Sequence, residues 1–187
     1  YLYYGRWDEA IRCATEALGA NPASVLRDWD GIVAIGQGQD IQSSKFVNAD
    51  QKANLLLIPH YSSLGQTQGP WMAGGRFSHI RNIALTETFF AENPWGSTEM
   101  KQAPYYYPST TVLAKLCPLK WPYFRQYTDA TGGIFFARTV HAAFTTDEAI
   151  LTRAEAYARL KMYNEAIADV NMWLNATYKA SPTVTLA

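Results

Sequence analysis

Residues 145–174, TTDEAILTRAEAYARLKMYNEAIADVNMWL, decide the fold of this chain because they predict two helices joined by a tight turn. Thr145 and Glu148 have the S/T-x-x-E spacing of a capping box, in which each side chain covers a free backbone N–H at a helix start. Apolar and small side chains then recur at three- and four-residue steps, which predicts one buried stripe on each helix. The stripes consist of Ile150, Leu151, Ala154, Tyr157 and Ala158, and of Ala166, Ile167, Val170, Trp173 and Leu174. Small residues at Ala154, Ala158 and Ala166 are expected to let the helices approach closely, as an antiparallel hairpin with no chemistry of its own.

The first 22 residues, YLYYGRWDEAIRCATEALGANP, repeat the end of this hairpin in degraded form. A shift of 156 positions superposes Tyr1 on Tyr157, Trp7 on Tyr163, Glu9 on Glu165, Ala10 on Ala166, Ile11 on Ile167 and Leu18 on Leu174. A Tyr in the first helix, a small residue early in the second and Pro22 after it follow the tetratricopeptide pattern, with Gly5 at the turn. Only the last turn of the first helix is present in this copy, so we expect the sequence to be a piece of a longer protein.

The chain between the two hairpins predicts short and irregular elements. A third helix is expected over residues 23–35, and another over Ser78–Phe90. Asn54–Tyr61 is expected to form a buried strand or extended segment, and Val112–Tyr127 an edge strand or extended crossing because of its prolines. Ile134–Val140 predicts a short β run that leads into the capped hairpin. The predicted fold is therefore mainly α, with tetratricopeptide-like helices at 1–35 and 144–178 and a loop-rich, short-strand insertion at 36–143.

Composition excludes some classes of function. The formal net charge is zero and the isoelectric point is near 7, so electrostatics give no case for nucleic acid or an anionic membrane. No apolar run reaches the roughly 18 residues of a membrane span. The two cysteines, Cys13 and Cys117, lack metal-site spacing and are compatible with buried free thiols or with one disulfide.

Catalytic and metal-binding signals are weak. His60, His79 and His141 are each isolated, with no second ligand three or four residues away, which argues against a metal site. The acidic pairs Asp8-Glu9 and Asp147-Glu148 fall in predicted first turns of helices, where capping and the helix dipole explain them. The acids of the insertion are scattered, whereas a glycosidase needs two carboxylates across one cleft. The sequence therefore predicts no catalytic residue, no metal and no cofactor.

Aromatic residues make up 14% of the chain, which favours either a ring-rich core or a binding surface. Trp and Tyr rings can stack on the apolar C–H faces of sugars, while nearby polar groups fix identity. Trp71 is the leading candidate because it lies in a glycine-rich loop, and Trp95 follows in a Pro-Trp-Gly turn. Tyr105, Tyr106 and Tyr107 cannot all face a core if extended, because alternate side chains point to opposite faces. These five residues are the candidate ligand-binding residues.

The run from Phe144 to Leu174 resembles the helical signature of the SusD/RagB family, surface glycan-binding lipoproteins of the Bacteroidetes outer membrane. The similarity rests on Phe144, Asp147, Glu148, Arg153, Ala154, Glu155, Ala156, Tyr157, Ala166 and Asn171. An earlier helical repeat separated by a long non-repeat segment also matches the family. The resemblance implies one SusD-like domain of tetratricopeptide-like helix pairs with a glycan platform on loops, and no catalysis. It further implies a SusC-like TonB-dependent transporter as partner, and a lipid anchor that lies outside this sequence.

Three interpretations remain open at this stage. The first is a glycan-binding lipoprotein of the nutrient-uptake type, the second is a tetratricopeptide scaffold that binds a peptide in its groove, and the third is a carbohydrate-active enzyme. More consecutive repeats and fewer loop aromatics would be expected of a scaffold. A carboxylate pair in the aromatic region would be expected of an enzyme. The sequence therefore favours the first.

Overall fold

The computed structural model describes residues 1–31, 49–60, 100–101, 105–106, 117–118, 123–127 and 134–186. Backbone alone is described at residues 60, 105–106, 117–118, 123–127 and 134–139. This part of the chain contains both α-helices and antiparallel sheets. The expected mainly α class is therefore corrected to a mixed α and β structure, because the segment before the capped hairpin forms a much longer strand than the sequence suggested.

Three helices pack side by side, with the middle one in contact with both others. They are α1 (Trp7–Leu18), α2 (Thr146–Arg159) and α3 (Tyr163–Thr177). The predicted capped hairpin is confirmed as α2 and α3, joined by a three-residue turn. α1 and α3 begin at Trp7 and Tyr163, the positions that the 156-residue shift superposes.

The predicted stripe on α2 is partly wrong. Ile150 and Ala154 are buried, but Leu151 and Ala158 are exposed, whereas Arg153 and Ala156 are buried. α2 lies between α1 and α3, so it needs two buried faces rather than one apolar stripe. On α3, Ala166 and Leu174 are buried and the other three predicted stripe residues are half-buried, as expected.

A three-stranded antiparallel sheet leads into the helices. Its order is β1 (Asn54–His60), β5 (Ile134–Thr145) and β4 (Tyr123–Tyr127), with β5 in the centre. Asn54 pairs with Thr145 at one end of β1 and His60 pairs with Thr139 at the other. β5 continues directly into α2, so the sheet and the helical layer share one stretch of backbone. The edge-strand prediction is confirmed for β4, and the predicted run Ile134–Val140 is confirmed as part of β5.

β1 is a strand, as predicted, but it is not buried. Leu55, Leu56 and Ile58 are exposed, as is Phe144 on β5, which pairs with Leu56. β1 occupies an edge of the described sheet, where Pro59 is tolerated because its missing N–H need not reach a neighbour. A second sheet of two short strands, β2 (Tyr105–Tyr106) and β3 (Cys117–Pro118), pairs Tyr105 with Pro118.

The predicted helix over residues 23–35 is wrong as far as Gly31, and residues 32–35 lie outside the described residues. Pro22–Ser24 form one 3-10 turn, and the chain from Val25 onward is irregular. The backbone N–H groups of Arg27 and Asp28 bond to distant side chains, and that of Gly31 bonds to the carboxylate of Asp28. These bonds replace the i to i−4 ladder that a helix would need.

One cluster of buried apolar side chains joins the irregular segment to the helices. Leu18 at the end of α1, Leu26 and Ile150 on α2 form one buried cluster. Met172 and Trp173 of α3 pack against it. Burying such a side chain stabilises the fold by roughly 1.5–3 kcal/mol. Leu26 thus anchors the irregular segment to the helical layer and fixes where the following residues lie.

Candidate ligand-binding site

The aromatic residues chosen from the sequence fall mostly where the structure gives no description. Trp71, Trp95 and Tyr107 lie outside the described residues, as does the predicted helix Ser78–Phe90. Tyr105 and Tyr106 are described by their backbone, which forms β2 and is therefore extended, the condition on which the argument for their exposure depends. Their assignment to a ligand stays a prediction.

A polar cleft that sequence reasoning missed lies next to the irregular segment after α1. It has a volume of about 420 Å³ and is lined by Ser24, Leu26, Asp28, Gly31, Asp50, Gln51 and Lys52. Two short segments, residues 24–31 and 50–52, therefore form its described wall. The lining includes two carboxylates, one ammonium group, one hydroxyl group and the apolar side chain of Leu26.

Gln51 fixes the two segments to each other. Its side chain is buried, its Oε1 accepts a hydrogen bond of 3.2 Å from the backbone N–H of Asp28, and its Nε2 donates one of 3.2 Å to the carbonyl oxygen of Asp28. Both polar ends of the amide are therefore used by a single residue of the other segment. This pairing places the main chain of Asp28 against residues 50–52 without a strand.

The carboxylate of Asp28 is held as tightly as its backbone. Its Oδ1 accepts a hydrogen bond of 3.0 Å from the N–H of Gly31. A Cβ added at Gly31 would lie only 2.5 Å from Oδ2 of Asp28, a distance that real Cβ atoms do not show. Glycine at position 31 thus lets the carboxylate fold over the turn while it lines the cleft.

Arg27, which immediately precedes Asp28, is buried and connects this wall to the helical layer and to β1. Nε of Arg27 donates to Oδ2 of Asp147 at 3.1 Å, and its Nη2 donates to Oδ1 of Asn54 at 3.1 Å. Burial is the largest influence on Arg27 and lowers its pKa, while the charge of Asp147 acts in the opposite direction. Thr146 adds a hydrogen bond of 2.6 Å from its Oγ1 to the carbonyl of Val25. The first turn of α2 therefore holds the cleft wall in place through these hydrogen bonds.

Arg153, in the most specific part of the family-like signature, connects the three helices to one another. Arg153 donates two hydrogen bonds of 2.7 Å to the carboxylate of Asp169, and a third of 3.2 Å to Oγ1 of Thr15. Hydrogen bonding to Asp169 is the largest influence on Arg153 and raises its pKa. This buried fork joins α2 to both α1 and α3. Arg153 was singled out by the sequence, but its partner Asp169 was not.

Three exposed tyrosine rings of the described residues lie near the turns that precede α1 and α3. Tyr3 and Tyr4 are 100% and 88% exposed, and Tyr163 is 48% exposed. The guanidinium of Arg159 lies 5.6 Å from the ring centre of Trp7, a cation–π distance that joins the end of α2 to the start of α1. None of these rings is part of the described lining of the polar cleft.

The described residues give no sign of metal chemistry or of a spanning helix. No group of three or more His, Cys, Asp or Glu side chains among them is placed to hold a metal ion. None of the helices in the described part of the chain has the length and apolar character needed to cross a bilayer. Cys13 on α1 is a free, half-buried thiol, whereas the side chain of Cys117 is outside the description.

The described lining of the cleft can bind a polar ligand, because it offers hydrogen-bond acceptors, donors and one apolar contact. Comparison with known proteins adds no assignment: no protein-family model, no curated protein and no solved structure matches this chain significantly.

Proposed function

We propose that this chain is part of a SusD/RagB-like lipoprotein that binds oligosaccharide or polysaccharide at the bacterial cell surface without catalysis. In this proposal the glycan passes to a SusC-like TonB-dependent transporter in the outer membrane, and the membrane anchor lies outside this sequence. The helices are tetratricopeptide-like, and the insertion at 36–143 carries the glycan platform.

One observation supports the proposal more than any other. The residues of the family-like signature make structural contacts that hold the helices and the adjoining segments together, which we call the frame. Arg153 is fully engaged with Asp169 and Thr15, and Asp147 holds Arg27. Asn171 binds the backbone of Val184 with both ends of its amide. A signature that builds the frame leaves ligand binding to the segments between the helices, as expected of a loop platform on a helical scaffold.

The packing of α1 on α2 gives this frame its organisation. The two helices are in direct contact although residues 19–145 separate them in the chain. In a helical repeat protein, the second helix of one repeat packs on the first helix of the next. The chain therefore leaves the helical layer after α1 and returns to it at α2, which packs directly on α1. This arrangement suits a large loop region beside a rigid helical support.

A peptide-binding scaffold is the second candidate, and one observation favours it. The exposed rings of Tyr3 and Tyr4 lie just before α1, and that of Tyr163 lies at the start of α3. Aromatic side chains on a rigid helical surface are suited to bind a peptide as well as a sugar. The polar cleft and the ring-rich insertion favour glycan binding more strongly than these rings favour peptide binding, because a peptide scaffold needs neither.

The experiment that separates these candidates is a binding panel with the whole chain. Calorimetry with soluble α-glucan, β-glucan, xylan and mannan is expected to show saturable binding to at least one of them, with no reducing sugar released on long incubation. Binding to a random peptide library with no response to any glycan would favour the scaffold. Release of reducing sugar would make the protein an enzyme and overturn the proposal.

A further inference from the structure

We infer that the cleft between residues 24–31 and 50–52 is a saccharide subsite in which the carboxylate of Asp28 accepts hydrogen bonds from ligand hydroxyl groups. This inference rests on the proposed glycan-binding function and adds a location, a residue and a ligand class to it. None of the seven described lining residues was among the aromatic candidates that the sequence suggested.

The size and lining of the cleft suit a short saccharide. Its volume of about 420 Å³ lies in the lower part of the range of roughly 300–1,000 Å³ that small-molecule pockets occupy. Saccharides need several oriented hydrogen bonds and some apolar contact. Asp28, Asp50, Lys52 and Ser24 supply polar groups to the cleft, and Leu26 supplies an apolar side chain.

Asp28 is the residue best prepared to recognise a ligand. Its N–H and its carbonyl oxygen are both bonded to the buried amide of Gln51, and its Oδ1 is bonded to Gly31. Among the described residues, no hydrogen bond is made to its Oδ2. A side chain that is fixed before binding loses little conformational entropy on binding, so each bond that it makes contributes more to affinity.

The carboxylate of Asp28 favours a neutral saccharide over an acidic one. The described lining includes two carboxylates, those of Asp28 and Asp50, and the ammonium group of Lys52. The adjacent Asp30 does not line the cleft, and it lies 3.7 Å from the ammonium of Lys101. A uronic acid would bring its carboxylate against that of Asp28, and like charges at short range disfavour binding. Hydroxyl groups, in contrast, donate readily to a carboxylate, and such charge-assisted bonds are the stronger kind.

Asp28→Asn is the sharpest test of this subsite. The amide oxygen of the variant can still accept from the N–H of Gly31, while its NH₂ group replaces the acceptor Oδ2. The shape of the side chain and the turn are thus preserved. Asp30→Asn is the matched control, because it removes a carboxylate two residues away that is exposed and outside the cleft. Lys52→Gln is the second variant, since this exposed side chain lines the cleft and its replacement should leave folding intact.

The probes are maltohexaose, cellohexaose, xylohexaose, mannohexaose and an oligogalacturonate of similar length, each titrated separately into the whole chain. We expect the affinity for the best neutral probe to fall about tenfold or more in Asp28→Asn, the size expected for one charge-assisted bond. Lys52→Gln is expected to weaken binding less, and Asp30→Asn to leave it unchanged. Circular dichroism and thermal unfolding of every variant identify any loss of folding.

The outcomes separate the subsite from the proposed function. If a neutral glycan binds the unmodified chain and both Asp28→Asn and Lys52→Gln bind it equally well, the subsite is wrong and the glycan-binding function stands. If the oligogalacturonate binds best, the assigned ligand class is wrong. If none of the glycans binds the unmodified chain, the subsite and the proposed function are both overturned.

Discussion

Gly5 and Lys161 take the same left-handed backbone conformation at turns 156 residues apart. Their φ angles are 70° and 62°, and the residues that follow them, Arg6 and Met162, also match at φ −91° and −85°. Each pair immediately precedes a helix, α1 in one case and α3 in the other. The degraded sequence repeat thus corresponds to a repeated turn geometry, in which one copy uses glycine and the other does not.

Lys161→Gly is expected to stabilise the protein. The left-handed region is sterically unfavourable for a residue with a Cβ. Glycine has no such steric strain, but it loses more conformational entropy on folding. We expect a net gain of about 0.5–1 kcal/mol in the free energy of unfolding, measured by urea denaturation. Lys161→Ala is the matched control, because it shortens the side chain and keeps the Cβ, and it should give no such gain. Equal stability of the two variants would show that the turn carries no strain.

The Arg153–Asp169 pair should be much more important for stability than an exposed pair on the same helix. Arg153→Met leaves the carboxylate of Asp169 buried without its partner, which typically costs about 3–5 kcal/mol. The exposed pair of Arg159 and Glu155 lies on the same helix, so Glu155→Gln should cost under about 0.5 kcal/mol.

A double variant, Arg153→Met with Asp169→Leu, tests where this cost comes from. Replacing both members with apolar side chains removes the buried charge, so we expect recovery of much of the stability lost by Arg153→Met. Chemical denaturation of the four proteins of the cycle gives the coupling energy. A coupling near zero would mean that the two charges do not interact in the folded protein.

Local sequence patterns predicted the capped hairpin well because its determinants are close in sequence. Oγ1 of Thr145 accepts a hydrogen bond of 3.2 Å from the N–H of Glu148, which is one of the two bonds of the predicted capping box. Gly5 has the positive φ that its place in the turn suggested. The buried Arg153 was missed as a packing residue because a charged side chain does not count toward an apolar stripe, although its partner is only one hairpin turn away.

The irregular segment could not be predicted because its hydrogen-bond partners are remote. Val25, Trp29, Ile32 and Val33 have helical spacing, which is why a helix was expected. The N–H of Asp28 instead bonds to a side chain 23 residues away, and Arg27 to one 120 residues away. The cleft depends on these pairings, so no local pattern could reveal it. The exposure of β1 was missed for a similar reason, since an apolar run does not show how many neighbours a strand will have.

Trp71 remains the aromatic residue most strongly predicted to contact a glycan. Its glycine-rich surroundings give it little opportunity to join a core, and stacking of one ring on a sugar is worth roughly the energy of an aromatic contact, about 0.5–1.5 kcal/mol. Trp71→Ala is therefore expected to weaken binding of the best glycan by about threefold to tenfold in calorimetry. Trp173→Phe, which alters a half-buried ring in the helical layer, should leave the affinity unchanged. Undiminished affinity in Trp71→Ala would remove this residue from the site.

Asn171 is expected to hold the chain that follows α3. Its Nδ2 donates a hydrogen bond of 2.9 Å to the carbonyl of Val184, and its Oδ1 accepts one of 2.7 Å from the N–H of Val184. The side-chain amide thus pairs with a backbone as a neighbouring strand would. We expect Asn171→Ala to increase hydrogen exchange at the Val184 amide by about tenfold, because each lost bond removes about 1 kcal/mol of local stability.

Asn171→Asp separates the two bonds of this contact. The carboxylate can still accept from the N–H of Val184, but it cannot donate to the carbonyl, which it then faces with negative charge. In Asn171→Asp, the hydrogen-exchange rate of the Val184 amide should lie between the rates in the original chain and in Asn171→Ala. Asn175→Ala is the control on the same helix, since Asn175 is exposed and should not affect Val184. If Asn171→Ala leaves this amide as protected as before, the last residues are held by their other contacts, and the signature asparagine must have a different purpose.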